Sequence, residues 1–206
     1  VDWTEGWKSL VKAHDLGGLA VVPPWLADGR DPATTIVIDP GMAFGTGDHP
    51  TTRGVLRLLP NAIRSGDLVA DLGAGSAVLA IAAAKLGAAR VAAIEYDGDA
   101  IGNAEVHVAR NVVADRVTVL QGDANVLLPL VAPVRVILAN IISSVLLQLL
   151  PAMDAALAPD GDAFLAGILH EERDVMLAAL AAYGWRAVAE DREEAWWSVH
   201  CRRAAA

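Results

Sequence analysis

The feature that most constrains how this chain can fold is an acidic residue at the end of an apolar strand, just before a glycine-rich turn. The strand predicted at 67–71 ends at Asp71 and leads into Gly73-Ala74-Gly75-Ser76. A Gly-x-Gly turn after a strand of an open α/β sheet lets a ligand lie against bare backbone. A carboxylate there would repel a pyrophosphate and attract a positively charged ligand. We therefore expect an α/β sheet that binds S-adenosylmethionine, whose ammonium and sulfonium groups are cationic and which carries no phosphate.

The alternation of apolar runs with amphipathic stretches predicts a parallel sheet that is covered on both faces. Strands are predicted at 67–71, 90–95, 116–120, 134–139 and 163–167, and helices at 76–86, 98–112, 143–157 and 170–183. Two more strands, at 185–190 and 196–202, are separated by a connection too short for a parallel crossover. We therefore expect seven strands, mostly parallel, with a final antiparallel hairpin. This is the α/β, Rossmann-like fold of class I S-adenosylmethionine-dependent methyltransferases.

The first part of the chain predicts an extension ahead of this sheet. A tryptophan-containing stretch from Trp3 to Val11 is helical in pattern, and the β-branched run at 34–38 predicts a strand. Pro50 suits the first turn of a helix at 50–59, because its missing N–H needs no partner there. We expect residues 1–33 to form a linker helix and extension, residues 34–203 a methyltransferase catalytic domain, and residues 204–206 a tail.

Composition narrows the setting of this domain. A length of 206 residues suits one domain. The net charge of −9, with no clustered Lys or Arg along the sequence, argues against direct nucleic-acid binding. Cys201 is the only cysteine, which rules out an internal disulfide and favours the cytoplasm. The most apolar stretch, at 126–150, is interrupted by prolines and polar residues, so we expect no membrane span.

Acidic residues after the next predicted strands are candidate ligands for the rest of the cofactor. Glu95 lies twenty residues after Gly75, and its two oxygens could accept from both ribose hydroxyls. Asp97 is an alternative ribose ligand, although it also suits the N-cap of the next helix. Asp123 could accept from the adenine amino group or serve as an ordinary turn residue. A nicotinamide site is disfavoured because Val78 stands where the dinucleotide fingerprint requires Gly or Ala.

Five motifs, in this order and spacing, resemble the bacterial ribosomal-protein methyltransferase family PrmA; they lie at 39–52, 71–76, 139–142, 166–169 and 193–197. The resemblance runs from Trp3 to about Arg203. It implies that S-adenosylmethionine binds near Phe44, Thr46, His49, Thr51, Asp71, Gly73, Gly75, Glu95, Asp123 and Asn140.

Two departures from the family pattern stand out in this sequence. Ala77 replaces the usual third glycine, where we expect its methyl group only to tighten the turn, and Asp48 replaces a residue that is commonly Thr. The family also carries a small N-terminal substrate-recognition domain on a helical linker. The resemblance places residue 1 within that linker.

Asn140, at the carboxyl end of its predicted strand, is the candidate catalytic residue. Methyl transfer to an amine requires a neutral nucleophile aimed at the methyl carbon. The side-chain oxygen of Asn140 could accept from the amine and orient its lone pair. His49 could act as a base or hold its loop, and Trp197 is expected to wall the pocket. The sequence predicts no metal site.

These observations predict a protein N-methyltransferase that acts on lysine or N-terminal amines and uses S-adenosylmethionine. The resemblance names a ribosomal protein of the large subunit as the partner. Other amine-bearing substrates, including small molecules, remain alternatives, as do a nicotinamide oxidoreductase and a cofactor-binding module without turnover. Asp71 and Val78 count against the oxidoreductase, and Asn140 counts against an inactive module.

Overall fold

The structure is a computed structural model and describes residues 11–40 and 47–204. The described part begins with a small three-stranded sheet. The strands are β1 (His14–Leu16), β2 (Leu19–Val22) and β3 (Thr35–Val37). β1 and β2 form an antiparallel hairpin, and β3 pairs parallel to β2. The domain boundary predicted between residues 33 and 34 falls between β2 and β3 of this sheet. The helix predicted over Trp3 to Val11 lies almost entirely outside the described residues.

The central sheet has the seven strands that the sequence predicts. They are β4 (Leu68–Leu72), β5 (Arg90–Glu95), β6 (Val117–Gln121), β7 (Val134–Asn140), β8 (Leu157–Leu169), β9 (Trp185–Glu193) and β10 (Trp196–Arg203). Their order is β6-β5-β4-β7-β8-β10-β9. The first five are parallel, whereas β10 runs antiparallel to both β8 and β9. The final antiparallel hairpin is therefore confirmed.

In the described part of the chain, six helices connect the strands. They are α1 (Pro50–Leu58), α2 (Val78–Lys85), α3 (Gly98–Arg110), α4 (Ala124–Val131), α5 (Ser143–Ala156) and α6 (Arg173–Ala182), with short 3-10 turns at Pro24–Leu26, Leu59–Asn61 and His170–Glu172. Helix α4 was missing from the sequence prediction. Pro129 lies within this helix, where it removes a backbone donor and interrupts the helical sequence pattern. The carboxylate of Asp123 nevertheless caps the N-terminus of α4 by accepting from Asn125 N at 2.8 Å.

The helices cover both faces of the sheet. On one face α1, α2 and α3 bury side chains such as Leu56, Ile81 and Val108, and on the other α4, α5 and α6 bury Leu128 and Leu150. Burial on both faces explains why the central strands read as continuous apolar runs. Among the described residues, no helix combines the length and apolar character needed to cross a bilayer.

A buried charge network holds the sheet together near the amino ends of β4 and β7. Asp162, which is fully buried, accepts from His200 Nε2 at 2.6 Å, from Arg135 Nη1 at 2.5 Å and from Arg202 Nε. Burial alone would raise the pKa of Asp162, but these donors outweigh it and hold the pKa well below its usual range. Arg135 also donates to Asp67 at 2.6 Å. The network joins neighbouring strands whose residues are far apart in the sequence, and it lies away from the edge where ligands bind in such sheets.

Candidate active site

The strand order reverses between β4 and β7, and this point of the sheet has the geometry of a ligand site. The two strands are parallel neighbours, with Leu72 opposite Ala139. The Gly73 turn therefore leaves β4 beside the point where Asn140 ends β7. Motifs that are nearly seventy positions apart in the sequence thus meet at one edge of the sheet.

Two glycines pack closely against Ile141, the residue that follows Asn140. A Cβ at Gly73 would approach Ile141 Cγ1 to 2.9 Å, and a Cβ at Gly167 would approach the Ile141 carbonyl oxygen to 2.5 Å. Both glycines have positive φ, at +67° and +83°. A side chain at Gly167 would collide with the backbone of Ile141. The segment after β7 can therefore adopt its observed position only if residue 167, in β8, is glycine.

A cavity of about 370 Å³ opens beside the Gly73 turn; its described lining consists of Gly73, Ile94, Glu95, Tyr96, Gly122, Asp123, Ala124, Asn125, Ile141, Val145, Gln148 and Leu149. This lining contains two carboxylates and no Lys, Arg or His. The volume suits a nucleoside-sized ligand. The charges suit a cationic ligand and disfavour a pyrophosphate, so the residues present fit S-adenosylmethionine better than a dinucleotide.

Glu95 is fixed in this cavity by two backbone donors. Its Oε2 accepts from Gly75 N at 2.7 Å and its Oε1 from Asp97 N at 2.8 Å. Each carboxylate oxygen can accept a second hydrogen bond. The carboxylate thus joins the turn after β4 to the turn after β5, and its remaining lone pairs are the ones that could bind ribose hydroxyls.

The two aspartates near Glu95 and β6 both cap helices. Asp97 accepts from Asp99 N at 3.0 Å at the start of α3, and it does not line the 370 Å³ cavity. Asp123 caps α4 and also lines the cavity. The geometry thus favours Glu95 over Asp97 as the ribose ligand. An adenine contact of Asp123 stays a prediction.

Asp71 is buried inside the sheet, with 1% of its surface exposed. Its Oδ2 accepts from Ala80 N, in the first turn of α2, at 3.0 Å. Burial raises the pKa of Asp71 to about 8; the hydrogen bond from Ala80 opposes this rise, and the charge of Glu95 adds to it. The carboxyl is therefore mostly protonated at pH 7. A direct charge contact between Asp71 and a bound cation stays a prediction.

A second cavity of about 230 Å³ meets the first at Ile141; its described lining consists of His49, Thr51, Asn140, Ile141, Ile142, Gly167 and Trp196. This lining carries no carboxylate. Asn140 Nδ2 donates to Thr52 Oγ1 at 3.2 Å, and Thr52 is fully buried. One of the two amide donors is thereby occupied, and Oδ1 is the group that could accept from an amine.

His49 is the N-cap of α1 and forms one wall of the second cavity. Its Nδ1 accepts from Thr51 N at 3.3 Å and lies 2.8 Å from Thr51 Oγ1. The ring meets Trp196 edge-on, with 5.0 Å between centroids. Burial and the charge of Arg53 lower the pKa of His49, which favours the neutral form of its ring. The structural role of His49 is thus visible, and a role as base stays a prediction.

Two predicted ligands, Phe44 and Thr46, lie outside the described residues. The expectation that Trp197 walls the pocket is wrong, because Trp196 occupies that wall and Trp197 is buried on the opposite side of β10. The side chains of adjacent residues in a strand point to opposite faces of the sheet, so a one-residue error in the prediction assigned Trp197 to the face that Trp196 occupies. The indole N–H of Trp197 instead donates to Glu190 at 2.8 Å.

His107 also supports the site, although the sequence analysis did not identify it as a site residue. It is fully buried on α3, and its two ring nitrogens contact Ser76 O at 3.1 Å and Asp39 N at 3.1 Å. The ring thereby joins the glycine-rich turn to the residues after β3. A histidine on a helix face has no sequence signal that separates this role from ordinary packing.

A further cavity, of about 410 Å³, lies where the ends of α2 and α3 meet the residues around β3, away from the Gly73 turn. Arg30, Lys85, Arg110 and Arg116 line it, so basic side chains do gather here although they are scattered along the sequence. Each already makes a hydrogen bond within the chain. Four cations would repel a sulfonium, so this cavity is not the cofactor site. Within 11–40 and 47–204, no group of His, Cys, Asp and Glu side chains could hold a metal ion.

Comparison with known proteins identifies the family. The family model described as ribosomal protein L11 methyltransferase (PrmA) matches residues 1–204. The chain belongs to the PrmA family. A ribosomal protein L11 methylase of solved structure, from Lactobacillus delbrueckii subsp. bulgaricus, is 31% identical with a TM-score of 0.82, over 94% of this chain and 99% of that one. The class I methyltransferase fold predicted from the sequence is thereby confirmed.

Curated members of the PrmA family are similar over almost the whole chain. The ribosomal protein L11 methyltransferase of Exiguobacterium sibiricum is 38% identical over 206 residues, 99% of this chain. That of Pelotomaculum thermopropionicum is 40% identical over 203 residues, 98% of this chain. The chain spans 65% of the length of each of these two relatives.

The departure at Ala77 has a cost that the sequence prediction missed. Ala77 takes φ +64° and is fully buried at the N-cap of α2. An alanine in the left-handed region costs about 1–2 kcal/mol, whereas glycine adopts it freely. The methyl group therefore strains the backbone next to the Gly73 turn, in addition to filling space there.

Proposed function

We propose that this chain is the catalytic part of a protein N-methyltransferase that uses S-adenosylmethionine to methylate lysine or N-terminal amines of ribosomal protein L11. The observation that carries the proposal is the junction of two unlike cavities at Ile141. One is lined by carboxylates beside a Gly-x-Gly turn, and Asn140, with its side-chain oxygen, lines the other. Membership of the PrmA family supports the same activity.

In this proposal the larger cavity holds the cofactor. The backbone at Gly73 and Gly75 would lie against it, Glu95 would accept from the ribose, and Asp123 would accept from the adenine. Tyr96, which is 78% exposed beside Glu95, is a further candidate to cover the bound nucleoside. S-adenosylmethionine, when bound, supplies a methyl group on a sulfonium, so the chain need not form a covalent intermediate.

The smaller cavity would hold the amine that accepts the methyl group. A lysine amine has a pKa of about 10.4 in water and must lose a proton before it can attack. Burial in a cavity whose described lining carries no carboxylate would favour the neutral amine. Asn140 Oδ1 would then accept one amine N–H and aim the lone pair toward the first cavity. Its amide is held for this task by Thr52.

Methyl-transfer assays with labelled S-adenosylmethionine test the activity and the substrate together. We expect methylation of short peptides with a lysine or free N-terminal amine, and slower methylation of intact ribosomal protein L11 by this chain alone. Remote contacts supply positioning energy, so grafting the N-terminal domain of a family member ahead of Trp3 should accelerate the reaction with intact L11.

The same assays separate the alternatives. Faster methylation of small amines than of peptides, with no gain from a folded graft, would favour a small-molecule methyltransferase. Tight NADH binding would contradict the proposed cofactor. A ribosomal substrate would also imply a cytoplasmic location for the protein.

A further inference from the structure

The acceptor cavity has two walls that come from distant parts of the chain. His49 and Thr51, at the start of α1, form one wall, and Trp196, at the start of β10, forms the other. The two aromatic rings meet at 5.0 Å with an interplanar angle of 66°. The width and shape of this cavity therefore depend on how α1 is held against the β9–β10 hairpin.

Arg53 joins these two walls through a single guanidinium group. Its Nε lies 3.1 and 3.2 Å from the two oxygens of Glu193, and its Nη2 lies 2.5 Å from Oε1 of the same carboxylate. Its Nη1 donates to the backbone carbonyl of Asp48, the residue before His49. Glu193 ends β9 and stands opposite Trp196 in the hairpin register.

The environment of this bridge makes it stronger than an ordinary surface ion pair. The Arg53 side chain is only 13% exposed, and the bidentate contact matches the planar fork of guanidinium to the carboxylate. The guanidinium groups of Arg53 and Arg57 hold the pKa of Glu193 well below its ordinary value. A lysine could not reproduce the contact, because its ammonium is a point charge that cannot span the carboxylate and the Asp48 carbonyl together.

We propose that Arg53 is a positioning residue for methyl transfer, which sets the separation of the His49 and Trp196 walls and so aligns the acceptor amine. The inference rests on the proposed function of the second cavity. It assigns to Arg53 no contact with the cofactor or with the reacting atoms. Its effect is carried by the backbone at Asp48 on one side and by Glu193 on the other.

Arg57 offers a matched control on the same helix. It lies one turn after Arg53, and its hydrogen bonds go to Asp191 at 2.6 and 2.8 Å and to Glu193 at 2.7 Å. Like Arg53, it ties α1 to β9 with charge. Among the described residues its hydrogen bonds do not reach Asp48, so it shares the Glu193 contact with Arg53 but does not hold the backbone before His49.

The charge of Arg53 also provides a spectroscopic reporter that does not depend on turnover. Burial and Arg53 lower the pKa of His49, whereas the carboxylates of Glu194 and Asp48 raise it. Removing the guanidinium should therefore raise the pKa of His49, and a lysine in its place should keep it near the wild-type value. NMR titration of the His49 ring measures this directly.

The experiment compares Arg53→Gln, Arg53→Lys and Arg57→Gln with the wild type. Both Arg53 variants should lose roughly tenfold or more in kcat/KM for an amine-bearing peptide, because small misalignments of reacting groups are costly. Affinity for S-adenosylhomocysteine should stay within about threefold, since Arg53 does not line the cavity proposed for the cofactor. Arg57→Gln should lower the melting temperature about as much as Arg53→Gln while keeping kcat/KM within about threefold of wild type.

Two results would overturn the inference. One is a loss of kcat/KM in Arg57→Gln equal to that in Arg53→Gln, which would mean that both arginines act only through stability. The other is an unchanged His49 titration in Arg53→Gln. If wild-type protein transfers no methyl group, the proposed function fails, whereas the titration still tests whether Arg53 controls the His49 wall.

Discussion

Asp71→Asn should reveal how much free energy the protein loses by burying a carboxyl group beside the cofactor site. Asparagine has nearly the same shape, and its side-chain oxygen can still accept from Ala80 N, which is 3.0 Å from Asp71 Oδ2. The variant therefore removes the ionisation and keeps the helix cap. Any dependence of its effect on pH reports the titration of Asp71.

The expected magnitude follows from the two pKa values of this group. Burial raises the pKa of Asp71 from 3.8 to about 8 in the folded protein. Between these values the folded state holds a proton that the unfolded state has released, so stability falls as pH rises. Each pH unit in this window changes the free energy of unfolding by about 1.4 kcal/mol. From pH 5 to pH 7 the wild type should therefore lose roughly 2–3 kcal/mol relative to Asp71→Asn.

Urea unfolding at pH 5, 7 and 9 tests this expectation in both proteins. Because other groups titrate equally in the two, the difference between their unfolding free energies isolates Asp71. The difference should grow from pH 5 to about pH 8 and then level off. A difference that stays constant between pH 5 and pH 7 would refute the reasoning, because it would mean that Asp71 is already ionised when folded.

Cofactor binding provides a second measurement on the same variant. If a cation binds near Asp71, binding should favour the ionised carboxyl and release a proton below pH 8. The affinity of the wild type for S-adenosylmethionine should then rise from pH 6 to pH 8, and Asp71→Asn should show no such rise. Calorimetry in buffers of different ionisation enthalpy counts the released protons. Equal pH dependence in both proteins would place the bound cation away from Asp71.

Four further substitutions test other parts of the structure. Glu95→Ala should weaken S-adenosylhomocysteine binding by about 1.5–3 kcal/mol in calorimetry, whereas Asp97→Ala, which removes only a helix cap, should change it little. Asn140→Ala should cut turnover roughly a hundredfold or more and leave cofactor affinity within about threefold, as paired kinetic and binding assays would show. Asp162→Asn should lower the free energy of unfolding by about 3 kcal/mol or more in denaturant titrations, because it leaves the buried cation of Arg135 without its full charge partner.

The local sequence determined most of the central sheet. The turn at Gly73, the alternation of apolar runs and the short link between the last two strands predicted seven strands and an antiparallel ending, which the structure confirms. These signals are local, because burial on both faces and the length of a connection leave their mark on consecutive residues. Helix α4 was not predicted, because Pro129 interrupts the apolar periodicity by which helices are recognised.

Only the tertiary structure decided how the site residues relate to one another. Trp196 rather than Trp197 faces the cavity, since the face of a strand depends on register across the sheet. The contact between Arg53 and Glu193 joins residues 140 positions apart, and no pattern along the chain reports such a pair. Burial of Asp71 likewise turned a carboxylate that was expected to attract a cationic ligand into a mostly protonated carboxyl. Charge and geometry at a site arise from residues that meet through folding, whereas strands and helices arise from neighbours in sequence, and this is why the fold was the easier of the two to predict.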